Sequence, residues 1–208
     1  MQESIPNDVK ITLLDRSEAL LTAAREKVAE YQKDFQRRNI QITYQQMDAE
    51  NLFLEGEYDI ILANHMLYHI ADDKREALIK KMSELLTKNG RLIASTIGQN
   101  HMKEIFDLIQ EYDKSAEIPV WMSEGFNLEN GEKQLKSYFS RIQVMLHDNN
   151  LLVPEPNAVF DYLESLPGNI HQIVLKDEQK IKKYLKEKIS EDNPFFIKKA
   201  AGVFIAAK

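Results

Sequence analysis

Apolar and polar positions along the chain switch repeatedly between a strand-like and a helix-like pattern. Val9-Lys10-Ile11-Thr12-Leu13-Leu14 is a short apolar run that ends at Asp15, and it predicts a buried strand over 9–14. Ser17 offers an oxygen to cap the helix that follows, with Glu18 in its first turn. Leu20, Ala24, Val28, Tyr31 and Phe35 recur at helical spacing, so one helix with a single apolar stripe is expected, ending at Asn39. Further strands are predicted over 41–46, 58–63 and 91–96. Between the last two, Asp72 and Asp73 open a helix whose stripe is Leu78, Met82, Leu85 and Leu86 and which Gly90 closes. Asn100 is the expected cap of the next helix, which carries Ile105, Phe106, Ile109 and Tyr112.

Strands that alternate with amphipathic helices imply βαβ units and a mostly parallel sheet covered on both faces, an α/β fold. The pattern then changes. Ile142, Val144 and Leu146 alternate with Gln143, Met145 and His147, which suits a half-buried edge strand over 142–147. Two helical patterns follow, one on Val159, Phe160, Leu163 and Leu166, the other on Ile181, Tyr184, Leu185 and Ile189. A last strand is predicted over 202–207. Pro154, Pro156 and Pro167-Gly168 punctuate this stretch without forming a linker. The expectation is therefore one domain over 1–208 with a helical insertion at roughly 148–194.

Composition narrows the chemistry. The 208 residues include no cysteine, so disulfides, thiolate metal sites and cysteine nucleophiles are excluded within them. A net charge of -6 argues against a general nucleic-acid binder. No apolar stretch is long enough to span a membrane, and the N-terminus has no signal-peptide pattern. A soluble, cytoplasmic protein is expected.

Four segments carry a resemblance. Asp15-Arg16-Ser17 with Leu20-Leu21 and Ala24 resembles the end of the second strand and the next helix of class I S-adenosylmethionine-dependent methyltransferases. Met47-Asp48-Ala49-Glu50-Asn51-Leu52 is similar to the segment after their third strand, and Tyr58 through His69 to their fourth strand and its loop. Leu85-Leu86-Thr87-Lys88-Asn89-Gly90-Arg91-Leu92 resembles their L-K-P-G-G-x-L turn, with Lys88-Asn89 in place of the usual proline and first glycine. The segments keep the family's order and spacing. The resemblance implies a Rossmann-like methyltransferase sheet whose last strand runs antiparallel. It also implies that the first βα unit is missing: none of the seven glycines precedes Gly56, so nothing matches the family's G-x-G-x-G loop.

The same resemblance assigns candidate site residues. Asp15, with Arg16, would hold the ribose of S-adenosylmethionine, while Asp48 and Ala49 would face its adenine and Asn64 its methionine part. Read without the family, Asp15 is a helix N-terminal acid beside Ser17, Asp48 a turn aspartate and Asn64 a strand-ending polar residue. His65, Tyr68, His69 and His101 are candidates for the acceptor pocket; polar surface is the competing reading for the histidines. His65 and His69 are four apart, but Met66 stands where the H-E-x-x-H pattern needs glutamate, so no metal site is expected. Trp121, Met122 and Phe126 would line the acceptor pocket or belong to the core. The sulfonium makes the methyl electrophilic by itself, so no catalytic residue is assigned; His69 is the first candidate base.

The function implied is methyl transfer from S-adenosylmethionine to a small molecule, impaired by the missing loop. A non-catalytic methyltransferase-like binding subunit and an NAD-dependent enzyme are the competitors, and the C-terminal strand pattern weighs against the latter. No nucleic-acid or membrane partner is expected. A sheet lacking its first strand would expose unpaired edges. Either strand 9–14 pairs with strand 58–63, or a second copy of the chain covers the edge as a homodimer.

Overall fold

A computed structural model describes residues 5–119 and 124–208. Their contacts group them into two compact units, residues 1–55 and 56–208, where the sequence pattern suggests one domain.

In the first unit, β1 (Lys10–Asp15) and β2 (Gln41–Gln46) pair in parallel, from Lys10 opposite Gln41 to Asp15 opposite Gln46. Ser17 caps α1 (Glu18–Ala29), its Oγ accepting from the Leu20 amide at 3.3 Å. The single helix expected here is two. It breaks at Glu30-Tyr31, and α2 (Gln32–Arg37) starts afresh after Tyr31 at φ -109. Asn39 ends it in the left-handed conformation (φ 51), with its side-chain Nδ2 donating to Asp8 Oδ1. The stripe also begins one residue later than expected. Leu20 is 60% exposed and Leu21 is buried, in front of the half-buried Ala24, Val28, Tyr31 and Phe35.

The second unit opens with β3 (Tyr58–Asn64), a 3-10 turn at Leu67–His69, α3 (Asp72–Leu85), β4 (Leu86–Ile97) and α4 (Lys103–Tyr112). A short α5 (Gly131–Leu135) leads into β5 (Arg141–Asp148). The stretch expected as a helical insertion holds α6 (Pro156–Ser165), α7 (Asn169–Lys176) and α8 (Glu178–Lys188). It also holds a strand that the pattern misses, β6 (Leu151–Val153), which pairs with β7 (Phe195–Ile197). The last strand is β8 (Ala200–Ala207).

The main sheet has the order β3-β4-β8-β5. β3 and β4 are parallel, and β8 runs antiparallel to both β4 and β5. Three strands therefore share a direction and the last opposes them, the Rossmann-like methyltransferase arrangement expected. Within its own unit β1 has its ladder with β2, and β3 has its ladder with β4. β5 is an edge strand as expected, but its expected half-buried alternation is not seen: Ile142 is partly buried, while Val144, Met145 and Leu146 are all exposed.

Gly90 does not close α3. That helix ends at Leu85, and β4 begins at Leu86. The β3–β4 register then jumps from Tyr58–Leu86 to Ile60–Arg91, and the intervening residues bulge. A Cβ on Gly90 would lie 2.9 Å from the Tyr58 carbonyl oxygen, so close backbone approach rather than helix termination requires glycine there. Asn100 is not the cap of α4. Met102 holds that position in the left-handed conformation (φ 56), and its amide donates to the Lys198 carbonyl.

The expected stripes of α3, α6 and α8 are buried, save for the partly buried Tyr184. Those of α6 and α8 join Ile105, Phe106, Leu108 and Ile109 of α4 with Ile170, Val174 and Ile197 in one cluster. Pro156 starts α6 at a position whose amide needs no partner, and Gly168 (φ 83) turns the chain into α7. At the sheet, Phe204 of β8 is fully buried and meets Phe126 edge-to-face at 5.5 Å. Phe126 is thus a core residue and not a pocket wall. Trp121 and Met122 lie outside the described residues.

Candidate active site

In the first unit the carboxyl ends of both strands carry an acid. Asp15 ends β1, and its carbonyl accepts from the Met47 amide at 3.0 Å, which sets Asp48 beside it along the chain. Asp15 Oδ1 accepts from the Ser17 amide at 2.8 Å, so the carboxylate is fixed by the turn that starts α1. Asp48 Oδ1 accepts from the Glu50 amide at 3.0 Å and caps the 3-10 turn Ala49–Asn51. Arg16 is exposed, and its carbonyl accepts from Gln46. Both carboxylates therefore serve the turn roles that need no ligand. Each uses one oxygen for this, and a carboxylate accepts more than one hydrogen bond. None of the glycines lies in this unit's first strand or the turn after it, so a close backbone cradle for S-adenosylmethionine is not built from these residues.

In the second unit the carboxyl end of β3 carries Asn64 and His65, both exposed. His65 has φ 49, a conformation that a non-glycine residue adopts at a cost. Its amide donates to Ser95 of β4, to the carbonyl at 3.2 Å and to Oγ at 3.0 Å, which holds the turn. Tyr68 follows on the 3-10 turn, its ring edge-to-face with His65 at 6.2 Å and 4.5 Å from His69. Burial pushes the Tyr68 hydroxyl above its ordinary pKa. His101 lies in the turn after β4, with Nδ1 3.0 Å from the Ala200 carbonyl oxygen. It is near enough to His65 for their charges to interact. The four acceptor-pocket candidates thus gather at one end of this unit's sheet. Of the other histidines, His147 is exposed on β5, and His171 is tied to the Glu164 carbonyl. Among the described residues no three His, Asp or Glu side chains cluster as metal ligands.

Burial lowers the His101 pKa below the usual imidazole value, helped by charge on Lys199 and His65 and opposed by the Ala200 hydrogen bond. The native state therefore favours neutral His101. That stability is present above pH 6.5 and is lost as pH falls through the lower native pKa. An NMR titration of the histidine Cε1 protons should show His101 with a midpoint below 6.5. A midpoint at or above it would contradict the burial.

Sequence reasoning missed Arg75, which is buried on α3. Its Nε donates to the Leu67 carbonyl at 2.9 Å, Nη1 to Gly125 at 3.1 Å, and Nη2 to Ile70 at 2.7 Å and Asp72 Oδ1 at 2.6 Å. The guanidinium thereby pins the turn that displays Tyr68 and His69. One signal existed: Arg75 stands three residues before Leu78, on the apolar face of its helix. Also missed was a hollow of about 150 Å³ at the end of β4, walled by the turn 97–103, Phe106, Ile118, Pro119 and Tyr162.

Residues 1–90 match the family model described as a methyltransferase domain. The chain is 30% identical over 113 residues to the carboxy-S-adenosyl-L-methionine synthase of Sulfurimonas denitrificans, which covers 54% of this chain and 45% of that protein. It therefore spans about half the length of the curated relative it matches. Its fold is shared with a protein of Bacillus halodurans assigned as a methyltransferase, at TM-score 0.61 and 15% identity over 95% of this chain and 82% of the other. The YcgJ protein of Bacillus subtilis is similar at TM-score 0.57 and 10% identity, over 100% and 95% of the two chains. The matched segment and the sheet make the chain similar to the class I S-adenosylmethionine-dependent methyltransferases. S-adenosylmethionine is the cofactor of that class. Among the described residues, no helix is long and apolar enough to cross a membrane.

Proposed function

We propose that the protein transfers a methyl group from S-adenosylmethionine to a small-molecule acceptor in the cytoplasm, and that the 208-residue chain holds the cofactor weakly. The observation that carries this reading is the gathering of His65, Tyr68, His69 and His101 at the carboxyl end of a Rossmann-like sheet, where such folds bind ligands. The relative whose name contains S-adenosyl-L-methionine supports the cofactor. When bound, that cofactor supplies an already electrophilic methyl group. The residues of this chain bind and orient. Within the first unit, Asp15 accepts from the ribose, and Asp48 and Ala49 meet the adenine. The histidine cluster holds the acceptor and takes its proton. A net charge of -6 supports a small molecule over a nucleic acid as substrate.

The alternative reading is a methyltransferase-like binding subunit without activity. Calorimetric titration with S-adenosylhomocysteine separates the two. The expected dissociation constant is weaker than about 100 μM, some 5.5 kcal/mol of binding. Asp15→Ala should weaken it a further tenfold or more, the effect of about 1.5–3 kcal/mol for hydrogen bonds to a charged group. Single-digit micromolar binding would refute the weak cradle. No binding at millimolar ligand would favour the subunit.

A further inference from the structure

The hollow at the end of β4 has a chemistry of its own. Its walls are mostly apolar: Ile97, Phe106, Ile118 and Pro119. Lys103 is also at the wall, but Asp107 holds its ammonium at 2.5 and 2.6 Å, so it presents no unpaired cation. The neutral polar side chains of the lining are Gln99, Asn100, His101 and Tyr162.

The His101 tautomer follows from its partner. The Ala200 carbonyl has no proton to give, so Nδ1 must donate, and neutral His101 keeps its lone pair on Nε2. Burial keeps this ring neutral near pH 7 and raises the Tyr162 hydroxyl above its usual range, so that hydroxyl stays protonated. The imidazole thus adds an acceptor and the phenol a donor to the amide groups of Gln99 and Asn100 in a mainly apolar wall. Its volume of about 150 Å³ matches an apolar cavity known to hold benzene.

We propose that this hollow is the acceptor subsite, taking an uncharged six-membered ring that bears a hydroxyl or N–H which donates to Nε2 of His101. The proposal rests on the transferase reading for the word acceptor, and on the hollow alone for the ring. A proton leaving that hydroxyl would break its O–H bond and form an N–H bond at Nε2, giving an imidazolium that the Ala200 carbonyl continues to accept from.

The test uses the whole 208-residue chain with labelled histidine Cε1, phenol and toluene as probes, and no cofactor. Phenol should move the His101 resonance saturably. His101→Leu should weaken phenol binding about fivefold, the effect of one neutral hydrogen bond, and leave toluene unchanged. Toluene binding also reports that this variant folds. Ile118→Trp, at a position 37% exposed, should block both probes while His101 still titrates. A His101 resonance indifferent to phenol would overturn the proposal. So would equal weakening of both probes by His101→Leu, or undiminished phenol binding by Ile118→Trp. Ring binding without S-adenosylhomocysteine binding would count against the transferase and leave the ring site standing; the reverse result would leave the transferase and remove the ring site.

Discussion

Arg75→Met should destabilise the unit spanning residues 56–208 by about 3–5 kcal/mol. The side chain is 6% exposed and serves the carbonyls of Leu67, Ile70 and Gly125. A buried polar group left without its partner costs about 1–3 kcal/mol, and methionine fills the space while satisfying none of the three. The Asp72 carboxylate is 88% exposed and returns to water, so the ion pair adds little. Urea unfolding should show a lower midpoint with an unchanged slope. Arg75→Lys should recover part of the loss, since one ammonium can reach some of the carbonyls without the planar fork. A loss below about 1 kcal/mol for methionine would mean that water replaces the guanidinium, and that the turn carrying Tyr68 and His69 is held by other means.

Phe204→Ala should cost about 4 kcal/mol, as expected for a fully buried phenylalanine. β8 lies between β4 and β5, so a cavity there loosens the centre of the sheet rather than an edge. The ring also explains a neighbour. A Cβ on Gly131 would sit 2.7 Å from Phe204 Cε2 and 2.9 Å from the Phe126 ring. Gly131→Ala alone should therefore lose about 1–3 kcal/mol to overpacking. In a Phe204→Leu background its cost should shrink, because the two nearest of the three atoms it meets are gone and only the Phe126 ring remains. A double-mutant cycle of thermal or urea midpoints reads this coupling. Strict additivity would show that the backbone of α5 moves aside instead.

The parts of the fold written in the sequence are those where one face of an element is buried. Six strands were marked by apolar runs, and the stripes of α6 and α8 by their spacing. Where two apolar residues adjoin, spacing alone cannot choose, so Leu20 was taken for Leu21. The break at Glu30-Tyr31 has no proline or glycine to announce it. Gly90 looks like a helix stop because sequence cannot tell a left-handed turn from a close backbone approach. Asn100 was a reasonable cap, but tertiary contact with the Lys198 carbonyl places Met102 there instead. β6 and β7 are three residues each and too short to show alternation. For the candidate site, the loops that carry His65, Tyr68, His69 and His101 are legible in the sequence. Arg75 was not recognised because its partners are carbonyls, which every residue has, and the hollow beside His101 is made by segments distant along the chain.

The position of β8 has a consequence during synthesis. In the main sheet β4 pairs with β3 on one side, and on the other it waits for β8, where Ile97 finds Ala201. At ribosomal rates that separation corresponds to on the order of 5–20 s. For that interval the nascent chain carries a long strand, with Leu92, Ala94 and Ile97, that has one hydrogen-bonding edge vacant. Until β8 is made, that vacant edge is open to pairing with another chain.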